Sequence, residues 1–222
     1  MSSRSQPAPI PVSLLTGHLG SGKTTVLRRL LDAGALTRTL VLINEFGEVG
    51  LDHQLLGRVA SETVVEMSSG CICCTIRGDL ARTLVQAPAR FAREGRRWFD
   101  RVVIETTGLA DPLPILHTLM RDPEIAGRYI LDSIVTTVDT VHAEHTLARH
   151  EEARRQVAIA DHLLLTKSDL STPAGRARLS ARLDALNPGA SRTDTANDVL
   201  EPQRFFGGGM LRLGGHRPQL DA

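Results

Sequence analysis

Aromatic residues are scarce in this chain, with one Trp, one Tyr and five Phe among 222 residues. A surface that stacks nucleic-acid bases on aromatic rings is therefore not expected. Charge of one sign is lacking too. A formal net charge of +1 gives bulk electrostatics no hold on nucleic acid or on an anionic membrane. No apolar run approaches the roughly 20 residues that cross a bilayer. The segment from Met1 to Pro9 is polar and proline-bearing, without the apolar stretch of a secretory signal. Residues 1–9 are expected to form a frayed tail, and the protein to work in the cytoplasm with no membrane or nucleic-acid partner. No internal repeat is evident, and glycine clusters only at Gly207-Gly208-Gly209 and Gly214-Gly215. Cysteine is nearly absent, and an odd count of three argues against a disulfide framework in a reducing compartment.

What is present is an alternation of apolar, β-branched runs with helical patterns. Strands are predicted at Ile10–Leu15, Thr39–Asn44, Thr63–Met67, Arg101–Ile104, Ile134–Val138 and His162–Leu165. Helical stretches fall at Lys23–Ala33, from near Arg77 toward Arg93 with an interruption or kink near Pro88, at Leu113–Met120, at Ala153–Ala160, and from Pro173 to about Asn187. Repeated strand–helix units imply an α/β fold with a mainly parallel twisted sheet and helices on both faces. The expected organisation is one domain over 10–200, followed by a glycine-rich linker or tail over 201–222.

The strongest local signal is Gly17-His18-Leu19-Gly20-Ser21-Gly22-Lys23-Thr24. It follows a predicted strand and opens a predicted helix, the context in which such a segment forms a phosphate-binding loop. Gly17, Gly20 and Gly22, with Ser21 and Thr25, present backbone N–H groups to phosphate oxygens, aided by the helix N-terminus. Lys23 reaches the β- and γ-phosphates, and the Thr24 hydroxyl ligates Mg²⁺. A glycine-rich turn without a ligand is the competing explanation, and the flanking strand and helix weigh against it.

Two more segments follow in the order a GTPase requires. The strand ending Ile104-Glu105 leads to Thr106-Thr107-Gly108. Glu105 there can hold Mg²⁺ through water or orient an attacking water, and Gly108 can offer its N–H to a γ-phosphate. Leu165-Thr166-Lys167-Ser168-Asp169 delivers Lys167 and Asp169 from another strand to a loop. The Asp169 carboxylate can accept both guanine donors, a pair adenine does not offer, while the Lys167 stem covers the base. An ordinary strand-end lysine and helix-capping aspartate would look alike in isolation. The expected nucleotide is GTP, with slow intrinsic hydrolysis, because neither a placed glutamine nor an arginine finger is apparent.

All three cysteines fall in Cys71-Ile72-Cys73-Cys74. Clustered thiolates in a turn favour a soft or borderline metal such as Zn²⁺. Cys71, Cys73 and Cys74 are the candidate ligands, with Glu48 as a fourth, Glu45 or one of the eight histidines as alternatives, and Co²⁺ as an alternative ion. His142 and His145 are expected on an exposed helix face. Small buried hydrophobes or redox thiols would be the other use of such cysteines.

Taken together, these segments resemble the CobW family, a metal-linked branch of the P-loop GTPases. The residues that carry the likeness are Thr16 to Thr25, Asn44-Glu45-Phe46-Gly47-Glu48, Gly70 to Cys74, Glu105 to Pro112 and Thr166 to Asp169. The resemblance implies a P-loop NTPase fold and a GTPase metallochaperone that inserts Zn²⁺, Co²⁺ or a related ion into a client metalloprotein. A homodimer is compatible with it. The sequence departs from the family pattern at Thr166, where Asn is usual, and carries no histidine-rich tract and no room for the separate C-terminal domain that relatives typically have. A GTP-gated assembly or sensor module, its cysteines structural or redox-active, is the alternative, and a small-molecule kinase a weaker third.

Overall fold

The computed structural model describes residues 8–43, 64–66 and 75–206, with side chains from 8–43 and 80–206. Strands β1 (Ile10–Thr16), β2 (Thr39–Ile43), β3 (Val64–Glu66), β6 (Arg101–Glu105), β7 (Tyr129–Asp139), β8 (His162–Thr166) and β9 (Ser191–Asp194) form one seven-stranded sheet in the order β3-β2-β6-β1-β7-β8-β9. Every neighbouring pair in it is parallel. The α/β P-loop architecture expected from the sequence is the one observed.

Why the strands read as continuous apolar runs is plain from their two faces. Leu40 and Leu42 of β2 and Val102 and Ile104 of β6 bury on one face with α2 (Thr75–Arg90) and α3 (Leu113–Arg121). Val41, Ile43 and Val103 bury on the other with α1 (Lys23–Asp32). A parallel sheet covered on both sides has no polar face to alternate with. Beyond β7, helices α4 (Ala143–Arg149), α5 (Glu151–Ala158) and α6 (Pro173–Leu186) pack a smaller core around Leu163, Leu179 and Leu183. Each such buried Leu or Val contributes about 1.5–3 kcal/mol over exposure.

Several elements depart from the sequence-based expectation. Strand β7 starts at Tyr129, not Ile134, because its polar residues are satisfied inside the sheet. Ser13 Oγ donates to Asp132 Oδ2 at 3.2 Å, and Ser133 Oγ donates to Ser13 Oγ at 3.0 Å. Helix α2 runs through Pro88 to Arg90 without being interrupted there. Its expected extension to Arg93 is instead the hairpin β4 (Ala92–Arg93) and β5 (Arg96–Arg97), turned through Glu94 and Gly95, both at positive φ. Beyond β9 the chain forms further regular structure. A short helix, α7 (Pro202–Phe205), follows, and Phe205 and Phe206 are fully buried against the α1 face of the sheet. The folded unit therefore extends past the boundary drawn at 200, through Phe206. Arg101 Nη1 donates to the Phe206 carbonyl at 2.7 Å, and Ser133 Oγ donates to that of Phe205.

The sheet order reverses direction around β1, with β6 on one side and β7 on the other. In open α/β sheets the carboxyl ends of strands at such a switch point form the ligand crevice. The carboxyl ends of β1, β6, β7 and β8 carry Thr16, Glu105, Asp139 and Thr166.

Candidate functional site

The loop between β1 and α1 is held by backbone conformations that glycine alone adopts cheaply. Gly17, Gly20 and Gly22 all have positive φ. At Gly17 a Cβ would lie 2.3 Å from Thr137 Oγ1 and 2.6 Å from its carbonyl oxygen, so the loop can rest on β7 only without a side chain there. Helix α1 then starts with no side-chain cap and no acidic residue in its first turn. Its leading N–H groups and the positive end of its dipole are thus left for an anion.

Inside this cradle the Lys23 ammonium is buried and donates to the Gly17 carbonyl at 3.0 Å and the His18 carbonyl at 3.5 Å. Thr24 Oγ1 donates to Glu105 Oε1 at 2.8 Å, joining the first turn of α1 to the end of β6. These two hard oxygen donors, a hydroxyl and a buried carboxylate, are the set a Mg²⁺ takes, so the residues present fit that ion. The Ser21 side chain points inward, 2.6 Å from Thr137 Oγ1, and Thr25 is exposed on α1.

The loop after β6 packs directly on the phosphate loop. A Cβ on Gly108 would sit 2.4 Å from the Leu19 nitrogen, which explains glycine at this position. Thr106 Oγ1 donates to Thr16 Oγ1 at 2.9 Å. Gln156 of α5, fully buried, donates from Nε2 to the Gly108 and Ala110 carbonyls at 3.3 and 3.1 Å. It anchors this loop through Nε2, while its buried Oε1 has no hydrogen-bond partner among the described residues.

On the other side, Lys167 takes a left-handed conformation and lays its ammonium over the phosphate loop, donating to the Gly20 carbonyl at 3.0 Å and to Asp139 Oδ2 at 2.7 Å. Burial alone would raise Asp139, but hydrogen bonds from Lys167 and His142 hold its carboxyl below the usual range. Thr166 Oγ1 donates to the Ser21 carbonyl at 2.8 Å. The residue that departs from the family pattern thus bridges the phosphate loop to the end of β8. Asp169 lies exposed in the 3₁₀ turn Ser168–Leu170, and Ser168 Oγ donates to Asp194 Oδ1 at the end of β9.

Sequence reasoning missed Thr137, Asp139, Gln156 and Asp194. Each is a common polar residue on an element whose motif is silent, and only the fold brings it to the loops. Glu45, Glu48, Cys71, Cys73 and Cys74 lie outside the described residues. His142 and His145 are exposed at the start of α4, as expected for a solvated helix face.

With this geometry in place, the likeness to known proteins is informative. Residues 11–194 match the family described as CobW/HypB/UreG, nucleotide-binding domain. The chain is 41% identical over 179 residues to the zinc chaperone YjiA of Escherichia coli (strain K12), covering 78% of this chain and 56% of that protein. It is 38% identical over 168 residues to zinc-regulated GTPase metalloprotein activator 1 of Schizosaccharomyces pombe, covering 73% of this chain and 40% of that protein. The crystal structure of the Zn(II)-bound YjiA GTPase from E. coli superposes with a TM-score of 0.67 at 34% identity, covering 91% of this chain and 63% of that one. The chain thus spans about half the length of the curated relatives it matches.

Proposed function

This chain belongs to the CobW/HypB/UreG nucleotide-binding family, and from that premise we propose that it binds and slowly hydrolyses GTP and uses the cycle to load Zn²⁺ onto a client metalloprotein. One observation carries the nucleotide half: three separate loops, ending β1, β6 and β8, are hydrogen-bonded into a single phosphate- and base-facing edge through Thr24–Glu105, Thr166–Ser21 and Lys167–Gly20.

The roles follow from the chemistry of each group. The N–H groups around Gly17, Gly20, Ser21, Gly22 and Thr25 and the Lys23 ammonium bind and orient the phosphate chain. Mg²⁺, held by Thr24 and by Glu105 directly or through water, would neutralise charge on the β- and γ-phosphates. The Glu105 carboxylate is also assigned to orient the water that forms the new O–P bond as the bond to the GDP leaving oxygen breaks. Gly108, pressed on the loop at Leu19, offers its N–H toward the γ-phosphate. Asp169 reads guanine, and the Lys167 stem covers it. With neither a placed glutamine nor an arginine finger apparent from the sequence, turnover is slow unless a partner supplies a charge-stabilising group, worth about 10³–10⁵ in rate when it is an arginine.

Cys71, Cys73 and Cys74, with Glu48, are proposed to carry the cargo Zn²⁺, Co²⁺ being a second ion of suitable chemistry. Similarity to a zinc chaperone and to a zinc-regulated GTPase metalloprotein activator supports this assignment. If GTP tightens metal, metal tightens GTP by the same factor, typically about 5- to 150-fold. The test is calorimetric titration of Zn²⁺ and Co²⁺ into reduced protein holding GDP or a non-hydrolysable GTP analogue, with Cys73→Ser alongside. Binding that depends on Cys73 and differs between nucleotides is expected. Metal binding indifferent to both leaves a GTPase without a metal cycle.

A further inference from the structure

A second cluster of metal-ligating side chains lies on the outer flank of the phosphate loop, away from the cysteines in sequence and made wholly of described residues. His18 is the second residue of the loop. Its ring meets that of His150 with centroids 4.4 Å apart and planes tilted by 40°. His150 sits at the junction of α4 and α5, and its Nδ1 is 3.1 Å from Glu152 Oε1 in the first turn of α5. One ligand atom from each of the three lies within 4.8 Å of the others.

We propose that His18, His150 and Glu152 form a binding site for a borderline divalent ion, Zn²⁺ in the first instance. Two imidazoles and a carboxylate are a donor set that Zn²⁺ and its neighbours take readily, at about 2.0–2.2 Å per bond. Ligands of a tetrahedral ion at that length stand about 3.4 Å apart, so small side-chain rotations close the observed triangle. The three residues are half-buried, which leaves an entry path.

A plain stack with a His150–Glu152 ion pair is the simpler account of the cluster, and it leaves one atom unexplained. His18 Nδ1 is sealed from solvent and has no hydrogen-bond partner among the described residues. Buried polar nitrogens are almost always partnered, and a cation held among these three side chains would give the imidazole a partner.

Three protein ligands leave a fourth position for water or an incoming side chain, the pattern of sites that exchange what they hold. The location gives such an ion a place in the nucleotide cycle. The His18 carbonyl accepts from Lys23, and Gly108 packs against the His18–Leu19 peptide, so metal here would fix the backbone that cradles phosphate. A cavity of about 300 Å³ bounded by His18, Asp139, His142 and Gln156 adjoins the loop and admits solvent to this flank. The site requires neither the cysteines nor GTP hydrolysis, so it can stand if the proposed metal cycle fails.

The experiment is titration of Co²⁺, then Zn²⁺, into the full chain carrying Cys71→Ser, Cys73→Ser and Cys74→Ser, followed by calorimetry and by the visible absorption of Co²⁺. One equivalent is expected to remain, with a four-coordinate nitrogen–oxygen spectrum and no thiolate charge-transfer band. His18→Phe and His150→Phe, which keep the ring stack, should each weaken it by at least about 10- to 100-fold. Glu152→Gln and His150→Gln serve if His18→Phe does not fold. No retained equivalent in the cysteine-free chain, or affinity unchanged by these substitutions, overturns the proposal.

Discussion

Helices α1 and α6 begin in opposite ways. At α6, Thr172 accepts a hydrogen bond from the Gly175 N–H at 3.1 Å and Pro173 occupies the first helical position, where no N–H is needed. At α1 the cap is Gly22 in a left-handed conformation, with no side-chain acceptor and a buried lysine as the first residue. The first arrangement satisfies the helix from within. The second leaves its donors and positive charge for a ligand and is kept in place by neighbours, through Thr24–Glu105, Thr166–Ser21 and Lys167–Gly20. Scaffold regions spend polar groups on themselves, whereas the carboxyl edge of the sheet holds polar groups ready, at a cost in local stability that packing elsewhere must offset.

Substitutions can set these two regions against each other. The largest effect is expected in the scaffold. Phe206→Ala removes a fully buried ring packed edge-on to Phe205, and should cost about 3–5 kcal/mol in urea unfolding while the folded fraction keeps its GTP affinity. Lys23→Ala should do the reverse. Losing a charged donor to phosphate costs about 1.5–3 kcal/mol of binding, or about 10- to 150-fold in GTP affinity by calorimetry, with little change in the melting curve. A large loss of stability in that variant would mean that the ammonium serves the fold and not the nucleotide.

A smaller contrast separates Asp169, in the turn after β8, from Thr172, the cap of α6 three residues on. Asp169→Asn should lower GTP affinity by about 10-fold or more and narrow its margin over ATP, since an amide matches guanine's two donors poorly. Thr172→Ala should cost about 1 kcal/mol of stability and leave nucleotide affinity alone. Equal nucleotide effects from the two would erase the distinction between edge and scaffold.

The smallest expected effect is in the acid limb of stability. Burial holds His162 below the ordinary histidine value, against the pull of Asp161 and Asp132. A lowered native value means that its contribution is fully present above the unfolded value of about 6.5 and is lost as pH falls through the native one. Stability measured from pH 7 to pH 5 should therefore decline, and His162→Gln should flatten that decline. An unchanged profile would place the acid sensitivity elsewhere.

Much of the fold was legible because its signals are local. Apolar runs at the period of buried strands marked β1, β2, β6 and β8, and glycine spacing before a helix marked the phosphate loop. What escaped notice was satisfied at a distance. Ser133 and Asp132 hid the first half of β7 because their partner, Ser13, is on another strand. Strand β9, Ser191–Asp194, has polar residues throughout and is defined by pairing with β8. Phe205 and Phe206 stand next to a glycine run that suggests a tail, yet they fill the core beneath α1.

The sequence by itself determined the α/β class, the phosphate loop with Lys23 and Thr24, and the candidate roles of Glu105, Lys167 and Asp169, because each rests on residue type at short spacing. Only the tertiary structure decided that Thr166 reaches Ser21, that Gln156 is committed to the loop after β6, and that His18 meets His150 and Glu152. The first two join residues far apart in the chain, 145 positions for Thr166–Ser21 and 48 for Gln156–Gly108. No local periodicity encodes such separations; they follow from strand order and from helices packing across the sheet.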